Sequence, residues 1–319
     1  MMGALATALA LDWAVGDPDG AWHPVRMMGA FLARGEAWAR RDPRRLRARG
    51  VVLALANVGL AWGVGFCLLR CVAWVDGFYG LQGWAIFAAQ ALMVWSCIGV
   101  RSMLDHAVAV LAALELGDLT LARLAVARIV GRDTAGLDAA GVRRACLESV
   151  AESLGDGVVA PLFFGMLGGG PLALAYRAAN TADSLIGHKD AAYAQLGWAA
   201  ARLDDLLNWI PARKAALCAT CAAYAMRLSA SGALRCARQD GPKQPSPNSG
   251  WPEGAFAGAL GVQLGGALSY RGQTVEKPTL GQARRPLDDA VLRQGLTLFL
   301  VASLVSVIVL ELILWLRSR

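Results

Sequence analysis

Histidine is scarce. The three present, His23, His106 and His188, fall at no spacing that metal sites use, so no zinc centre is expected. The seven cysteines are odd in number and lie mostly in apolar segments. Cys218-Ala-Thr-Cys221 has the form of a paired-thiol motif, but it sits in an alanine-rich run without a second pair. Packing of small side chains accounts for it, and no disulfide is expected. Charge is also thin: 17% of residues are charged, against about 25% in ordinary soluble domains. The net charge of +7 forms no basic stripe with interleaved aromatics, which argues against nucleic-acid binding. The chain has no phosphate-binding GxxxxGK[ST] loop, no dinucleotide GxGxxG fingerprint and no internal repeat, so no sequence motif announces a nucleotide.

What the chain has in abundance is apolar sequence. It is 56% hydrophobic over 319 residues, with a mean hydropathy of +0.44, and its basic residues cluster beside apolar runs. That distribution predicts a membrane protein oriented by its positive loops. The stretches 51–75, 81–100 and 297–316 are long enough to cross a bilayer. Residues 1–15, 157–176 and 212–230 are further candidates: 1–15 is short and interrupted by Asp12, and fits a first helix better than a cleaved signal peptide. The later two could be crossings, re-entrant segments or buried helices. The arginine-rich segment 34–49 is expected on the cytoplasmic side, together with the regions 101–150 and 235–296. The residues 235–254, rich in Pro, Ser and Gly, read as a loop, and the small residues that follow allow close backbone approach. The fold expected is all-α: a polytopic integral membrane helical bundle, one domain over residues 1–319, with cytoplasmic amphipathic helices and loops.

Acid and amide groups concentrate between Glu148 and Arg213. Glu148, Glu152 and Asp156 follow at i, i+4 and i+8, which fans them over about 80° of one helix face. Asn180, Asp183, Ser184, His188 and Lys189 come next, then Asp204, Asp205 and Asn208, with nearly all-apolar sequence between. Such a pair is most often a solvated helix face. Here the neighbours are Ala, Leu, Val and Gly rather than Lys and Arg, so the carboxylates have few local partners. A carboxylate in apolar surroundings is costly without a partner or a role, and the set points to a polar site inside an apolar bundle. Upstream, the turn after residue 15 gathers Asp12, Asp17, His23, Pro24 and Arg26. Arg132 and Asp133 could orient a phosphate or metal, or Asp133 or Thr134 could cap the next helix.

The stretches GDPDGAWHPVRMMG, VGRDTAGLD, ESVAESLGDGVVAPLF, AYRAANTADSLIGHK, ARLDDLLNWIPAR and NSGWPEGAFAGALGVQLGG run in order from about residue 11 to about residue 270. Together they resemble the adenosylcobinamide-phosphate synthase family, the CobD/CbiB proteins of cobalamin biosynthesis. Two positions depart from the family's pattern: Ser153 stands where it usually has Asn, and His188 where it often has Tyr. The resemblance implies a multi-pass bacterial inner-membrane enzyme with a cytoplasmic active site. It implies ATP-dependent amide formation between a propionate of adenosylcobyric acid and aminopropanol or its phosphate, with Mg²⁺. Lipid and other corrin-pathway enzymes are its expected partners. On that reading Glu152, Asp183, Arg132 and Lys189 are the catalytic candidates. His23, Arg26, Asn180, His188, Arg213, Asn248 and Trp251 are expected to bind substrate, and Asp156, Asp204, Asp205 and Asn208 to hold the metal. Two other classes compete. A UbiA-type Mg²⁺-dependent prenyltransferase also uses acidic-amide clusters in a membrane bundle, but its NDxxDxxxD motif is absent here. A non-catalytic AmpE-type membrane sensor would not need the whole carboxylate set.

Overall fold

Length and hydropathy dominate the architecture. Among the described residues of the computed structural model (1–17, 20, 22–188, 190–270 and 273–319), four helical stretches are long and apolar enough to cross a membrane: Pro43–Tyr79, Trp84–Glu115, Ala139–Ile186 and Asp289–Arg317. They take in or overlap the stretches expected at 51–75, 81–100, 157–176 and 297–316. The helix α1 (Ala4–Val15) has 12 residues and so reaches only about 18 Å, short of a hydrocarbon core of about 30 Å. The chain divides into two units: one comprises 1–99, 160–208 and 307–319, the other 100–159 and 209–306.

In the first unit, α1 is joined by α2 (Pro24–Ala39), α3 (Leu46–Tyr79), α4 (Trp84–Trp95), α8 (Ala160–Ile186) and α9 (Trp198–Leu207). Leu32, Leu53, Ala54, Ala182, Ile186, Leu196 and Ala200 form a buried core. Much of α3 instead exposes apolar side chains, among them Leu55, Leu60, Val64 and Leu68, a surface suited to lipid. Exposed Trp74, Phe78, Tyr79 and Trp84 surround its C-terminal end, while Arg44, Arg45, Arg47 and Arg49 stand at the other. Aromatic and basic residues in those places mark the two membrane interfaces. The helix α3 does not end with the expected span at residue 75 but continues to Tyr79. The buried Asp76 carboxylate then accepts the N–H groups of Gly83 (2.9 Å) and Ala85 (3.0 Å), capping α4 from outside it. Within α8 the run Gly168-Gly169-Gly170-Pro171 kinks the helix, with Gly169 at φ +73°. Proline removes a donor and clashes with the preceding turn, and the Gln90 side chain accepts the Gly170 N–H at 2.5 Å.

The second unit contains α5 (Val100–Glu115), α6 (Leu119–Val126), α7 (Ala139–Ser153), α10 (Trp209–Ala225), α11 (Ala230–Gln239), α12 (Gly250–Leu260) and α13 (Asp289–Arg317) as far as Ser306. Asp118 caps α6 and Asp138 caps α7 through the N–H groups of Leu121 and Gly141. Neither Asp133 nor Thr134 serves as that cap. The loop expected over 235–254 is shorter, because α11 runs to Gln239 and α12 starts at Gly250. Glycine explains this: a Cβ on Gly258 would lie 2.1 Å from the Gly232 carbonyl oxygen, so the two helices pack backbone to backbone. A two-stranded antiparallel hairpin, β1 (Leu264–Tyr270) and β2 (Gln273–Leu280), adds to the expected all-α fold. Its register slips between Leu264 and Gly266, and Gly265 there has φ +77°, the conformation of a glycine bulge.

Candidate functional site

In the first unit the polar groups meet where α8 and α9 pack. Asp204 is buried and accepts from two neutral amides, Asn180 at 3.2 Å and Asn208 at 3.0 Å. The Tyr176 hydroxyl donates to Asn208 Oδ1 at 2.9 Å, and Arg177 donates to Asn180 Oδ1 at 3.2 Å. Burial pushes the Asp204 carboxyl up, against the amide hydrogen bonds and the more distant Arg177; the neighbouring Asp205 pushes in the same direction as burial. Asp205 is half-buried and lies 3.9 Å from Arg202. Before α2, His23 Nε2 stands 2.8 Å from Asp17 Oδ1. That hydrogen bond holds the Asp17 carboxyl below its ordinary value, with Arg177 and Arg26 adding to it against partial burial. Arg177 thus bonds Asn180 within the Asn180–Asp204–Asn208 cluster and also acts on the Asp17 carboxyl, which His23 holds. His188 packs edge-on against Tyr193 at 5.5 Å between ring centres. Asp183 lies on the same helix as Asn180, with its backbone carbonyl accepting from Gly187. Lys189 lies outside the described residues.

In the second unit α7 carries Glu148 and Glu152 one turn apart. Arg132 forms a buried ion pair with Glu148 through Oε2, and Glu148 Oε1 accepts the Gly265 N–H at 2.7 Å. The bulge in β1 presents that N–H. Asp133 is tied to the same hairpin: its N–H donates to the Ser269 carbonyl at 2.8 Å, and the Ser269 hydroxyl donates to its carboxylate at 2.7 Å. Beside the Arg132–Glu148 pair is a cavity of about 110 Å³ lined by Arg132, Glu148, Glu152, Gln244, Glu253 and Lys277 among others. Glu253, on α12, is fully enclosed; burial first, and then Glu152 and Glu148, raise its carboxyl well above the ordinary value.

Asp156 does not line this cavity, although the i, i+4, i+8 spacing put it on one face with Glu148 and Glu152. The chain turns into a π-helix at Leu154–Val159, and its wider turn takes Asp156 out of the α-helical register. Arg213 is sandwiched between the Trp209 and Trp251 rings, 4.2 and 4.5 Å from their centres, while the buried Trp251 Nε1 has no hydrogen-bond acceptor among the described residues. Asn248 is buried at the mouth of α12 and donates its N–H toward Ser246. Among the described residues, no three His, Cys, Asp or Glu side chains converge closely enough to hold a metal ion. Sequence reasoning placed Glu148 on the acidic face without a specific role and gave none to Arg177, Glu253 or Lys277. A lone charge inside apolar sequence was the available signal for Arg177 and Glu253.

Long apolar helices enclosing two buried polar clusters define a polytopic helical membrane protein. A family model described as CobD/Cbib protein matches residues 5–299. Among curated relatives, the cobalamin biosynthesis protein CobD of Geobacter metallireducens is 44% identical over 88% of this chain and 87% of its own. The CobD of Klebsiella pneumoniae is 39% identical (94% and 93%), and the cobalamin biosynthesis protein CbiB of Salmonella typhimurium 38% (96% and 95%). The chain belongs to the CobD/CbiB family, and its role is in cobalamin biosynthesis. No solved structure matches it.

Proposed function

We propose that the chain catalyses ATP-dependent amide formation between a propionate of adenosylcobyric acid and aminopropanol or its O-phosphate. The observation that carries this reading is the cavity where Arg132, Glu148, Glu152, Glu253 and Lys277 meet, in a chain of this family. A carboxylate is a poor electrophile toward an amine, because oxide would have to leave. Transfer of the γ-phosphoryl group of ATP to a carboxylate oxygen forms an acyl phosphate and releases ADP. The amine then attacks the acyl carbon, phosphate departs with that oxygen, and the ammonium proton passes to a base.

The residues supply the electrostatics that such a sequence needs. Arg132 is a cation fixed by Glu148, placed to face developing phosphate charge. Glu152 is the candidate proton acceptor on the same cavity, and Asp183 that of the first unit. Arg213, held flat between two indoles, is suited to an anionic or planar group, and Lys189 remains a candidate cation. The donor chemistry of the first cluster fits Mg²⁺. Asp204 supplies hard carboxylate oxygens of the kind Mg²⁺ takes, and that carboxylate is buried on neutral donors alone. Asp204, Asp205 and Asn208 are the candidates to hold the ion, and Asp156 is a separate candidate ligand on the second unit. Bound there, Mg²⁺ would neutralise phosphate charge. We place the protein in the bacterial inner membrane with its site facing the cytoplasm, where ATP is available. Complementation tests the reading: a strain lacking this step should regain growth on cobyric acid when it carries the gene, and should grow on cobinamide without it. Growth on cobyric acid no better than with empty vector would refute it.

A further inference from the structure

Basic charge is concentrated at one place in the first unit. Residues 34–49 hold seven arginines against Glu36 and Asp42, so this segment carries +5 of the net +7. Glu36 pairs with Arg40 at 2.7 Å, and Asp42 stands 3.6 Å from Arg49 and 3.8 Å from Arg45. Three of the arginines lie on aromatic rings of the same unit: Arg40 on Tyr193, Arg47 on Trp198 and Arg49 on Trp38, at 4.9, 4.1 and 5.0 Å from the ring centres. Orientation of a membrane protein by its positive loops needs charge alone; it does not need guanidinium planes fixed on rings. A stacked guanidinium gives one face to the ring and keeps its in-plane N–H fork, which matches two oxygens of a phosphate. Exposed Arg47 keeps that fork free, with no acceptor for its side chain among the described residues. Arg44, exposed one turn before it, is likewise without an acid. The partner follows from what lies next to the patch. Val52 and Leu55 on α3 are 56% and 57% exposed, only about 8–12 Å along the helix from Arg47. Apolar side chains turned outward so close by put the arginines at headgroup depth. The rings of the patch are engaged by arginines, whereas single-stranded nucleic acid needs open rings on which bases stack. A choline headgroup brings its own cation beside the phosphate and cancels the attraction, and an anionic phospholipid does not.

We propose that the 34–49 segment binds the headgroup of an anionic phospholipid of the surrounding bilayer, with the Arg47 guanidinium, held on Trp198, as the fork that takes its phosphate. Native mass spectrometry of the purified full-length protein in detergent tests it, with dioleoyl phosphatidylglycerol and dioleoyl phosphatidylcholine supplied at equal concentration. Each basic side chain at an anionic surface strengthens binding about fivefold. The unaltered protein should therefore retain the glycerol lipid over the choline lipid by about fivefold or more, and Arg44→Gln/Arg45→Gln/Arg47→Gln should bring the two to about parity. Arg47→Lys keeps the charge but loses the planar fork, and should lower the preference about twofold or more. Arg317→Gln/Arg319→Gln, at the far end of α13, should leave it unchanged. Equal retention of the two lipids by the unaltered protein, an undiminished preference in the triple variant or in Arg47→Lys, or an equal loss in Arg317→Gln/Arg319→Gln would each overturn the proposal. So would displacement of the glycerol lipid by an equal concentration of sodium phosphate or of a single-stranded DNA oligonucleotide, which would make the patch a site for free phosphate or for nucleic acid. Should the triple variant fail to insert, the two lipids on the unaltered protein, with Arg47→Lys, still decide.

Discussion

Replacing Arg132 with Met is expected to destabilise the second unit strongly, and a second substitution is expected to undo much of the damage. The Arg132 and Glu148 side chains are 9% and 7% exposed, so removal of the guanidinium strands a buried carboxylate. Breaking such a pair by removing one partner costs about 3–5 kcal/mol. Glu148 keeps the Gly265 N–H at 2.7 Å, but a neutral donor does not cancel its charge. Glu148→Met strands Arg132 at a similar cost and also orphans that backbone N–H, for about 1–3 kcal/mol more. In Arg132→Met/Glu148→Met no buried charge remains, and the cost should shrink to roughly that of the orphaned N–H, about 1–3 kcal/mol. The predicted order of melting temperature is therefore the unaltered protein, the double variant, Arg132→Met, then Glu148→Met. For Arg132→Met the fall is on the order of 6–20 °C, at about 2–4 °C per kcal/mol for domains of comparable size. Thermal unfolding in detergent, followed by the fluorescence of the 11 tryptophans, reads it. A double variant no more stable than Arg132→Met, or an Arg132→Met protein melting with the unaltered one, would refute the reasoning.

Glu253 has a folded-state carboxyl raised above its ordinary 4.5 by burial and by Glu152 and Glu148. An acid shifted upward favours the fold when protonated, so its contribution is complete below about pH 4.5 and is lost as the pH rises through the folded value. Glu253→Gln should thus melt higher than the unaltered protein at pH 8, with the difference closing at pH 4.5; a lower melting point at pH 8 would contradict this. Glu311 accepts the N–H groups of Gly3, Leu5 and Ala6 at 2.9, 3.1 and 3.2 Å, a cap for α1 supplied from α13. Glu311→Ala should cost about 1–2 kcal/mol and speed hydrogen exchange at those amides roughly tenfold, whereas unchanged exchange would remove that role. The region 235–296 carries eight Lys and Arg residues and is predicted to be cytoplasmic. A reporter fused near Gly241 that is active only in the periplasm would overturn that orientation.

Spans were legible because hydropathy sums over some twenty residues and needs no knowledge of partners. The Asp204–Asn208 contact was legible for a similar reason: one helical turn separates them. Asn180 and Tyr176 complete that cluster from another helix, and no spacing rule reaches across 24 or 32 residues. Glu148 was noticed as part of an acidic face, but its partner Arg132 comes from the preceding loop and its N–H donor from a bulge 117 residues on. Asp156 fell off the face because a π turn leaves no clear mark in composition. The hairpin was hidden by glycine: Gly265 and Gly266 sit at positive φ, where they shape a bulge, and in sequence they resemble the small residues of a close helix contact. Conversely, Gly254 read as the end of a loop, while Gly258 fell in a run read as close approach to a helix or a ligand; both serve helix packing.

The central claim is tested most directly by following oxygen. Purified protein is given adenosylcobyric acid labelled with ¹⁸O in the propionate carboxylate, aminopropanol or its phosphate, Mg²⁺ and ATP. The account predicts amide product only with ATP, and one labelled oxygen in each phosphate released. Amide formed without ATP would contradict the ligase reading outright, and amide formed with ATP but unlabelled phosphate would contradict the acyl phosphate.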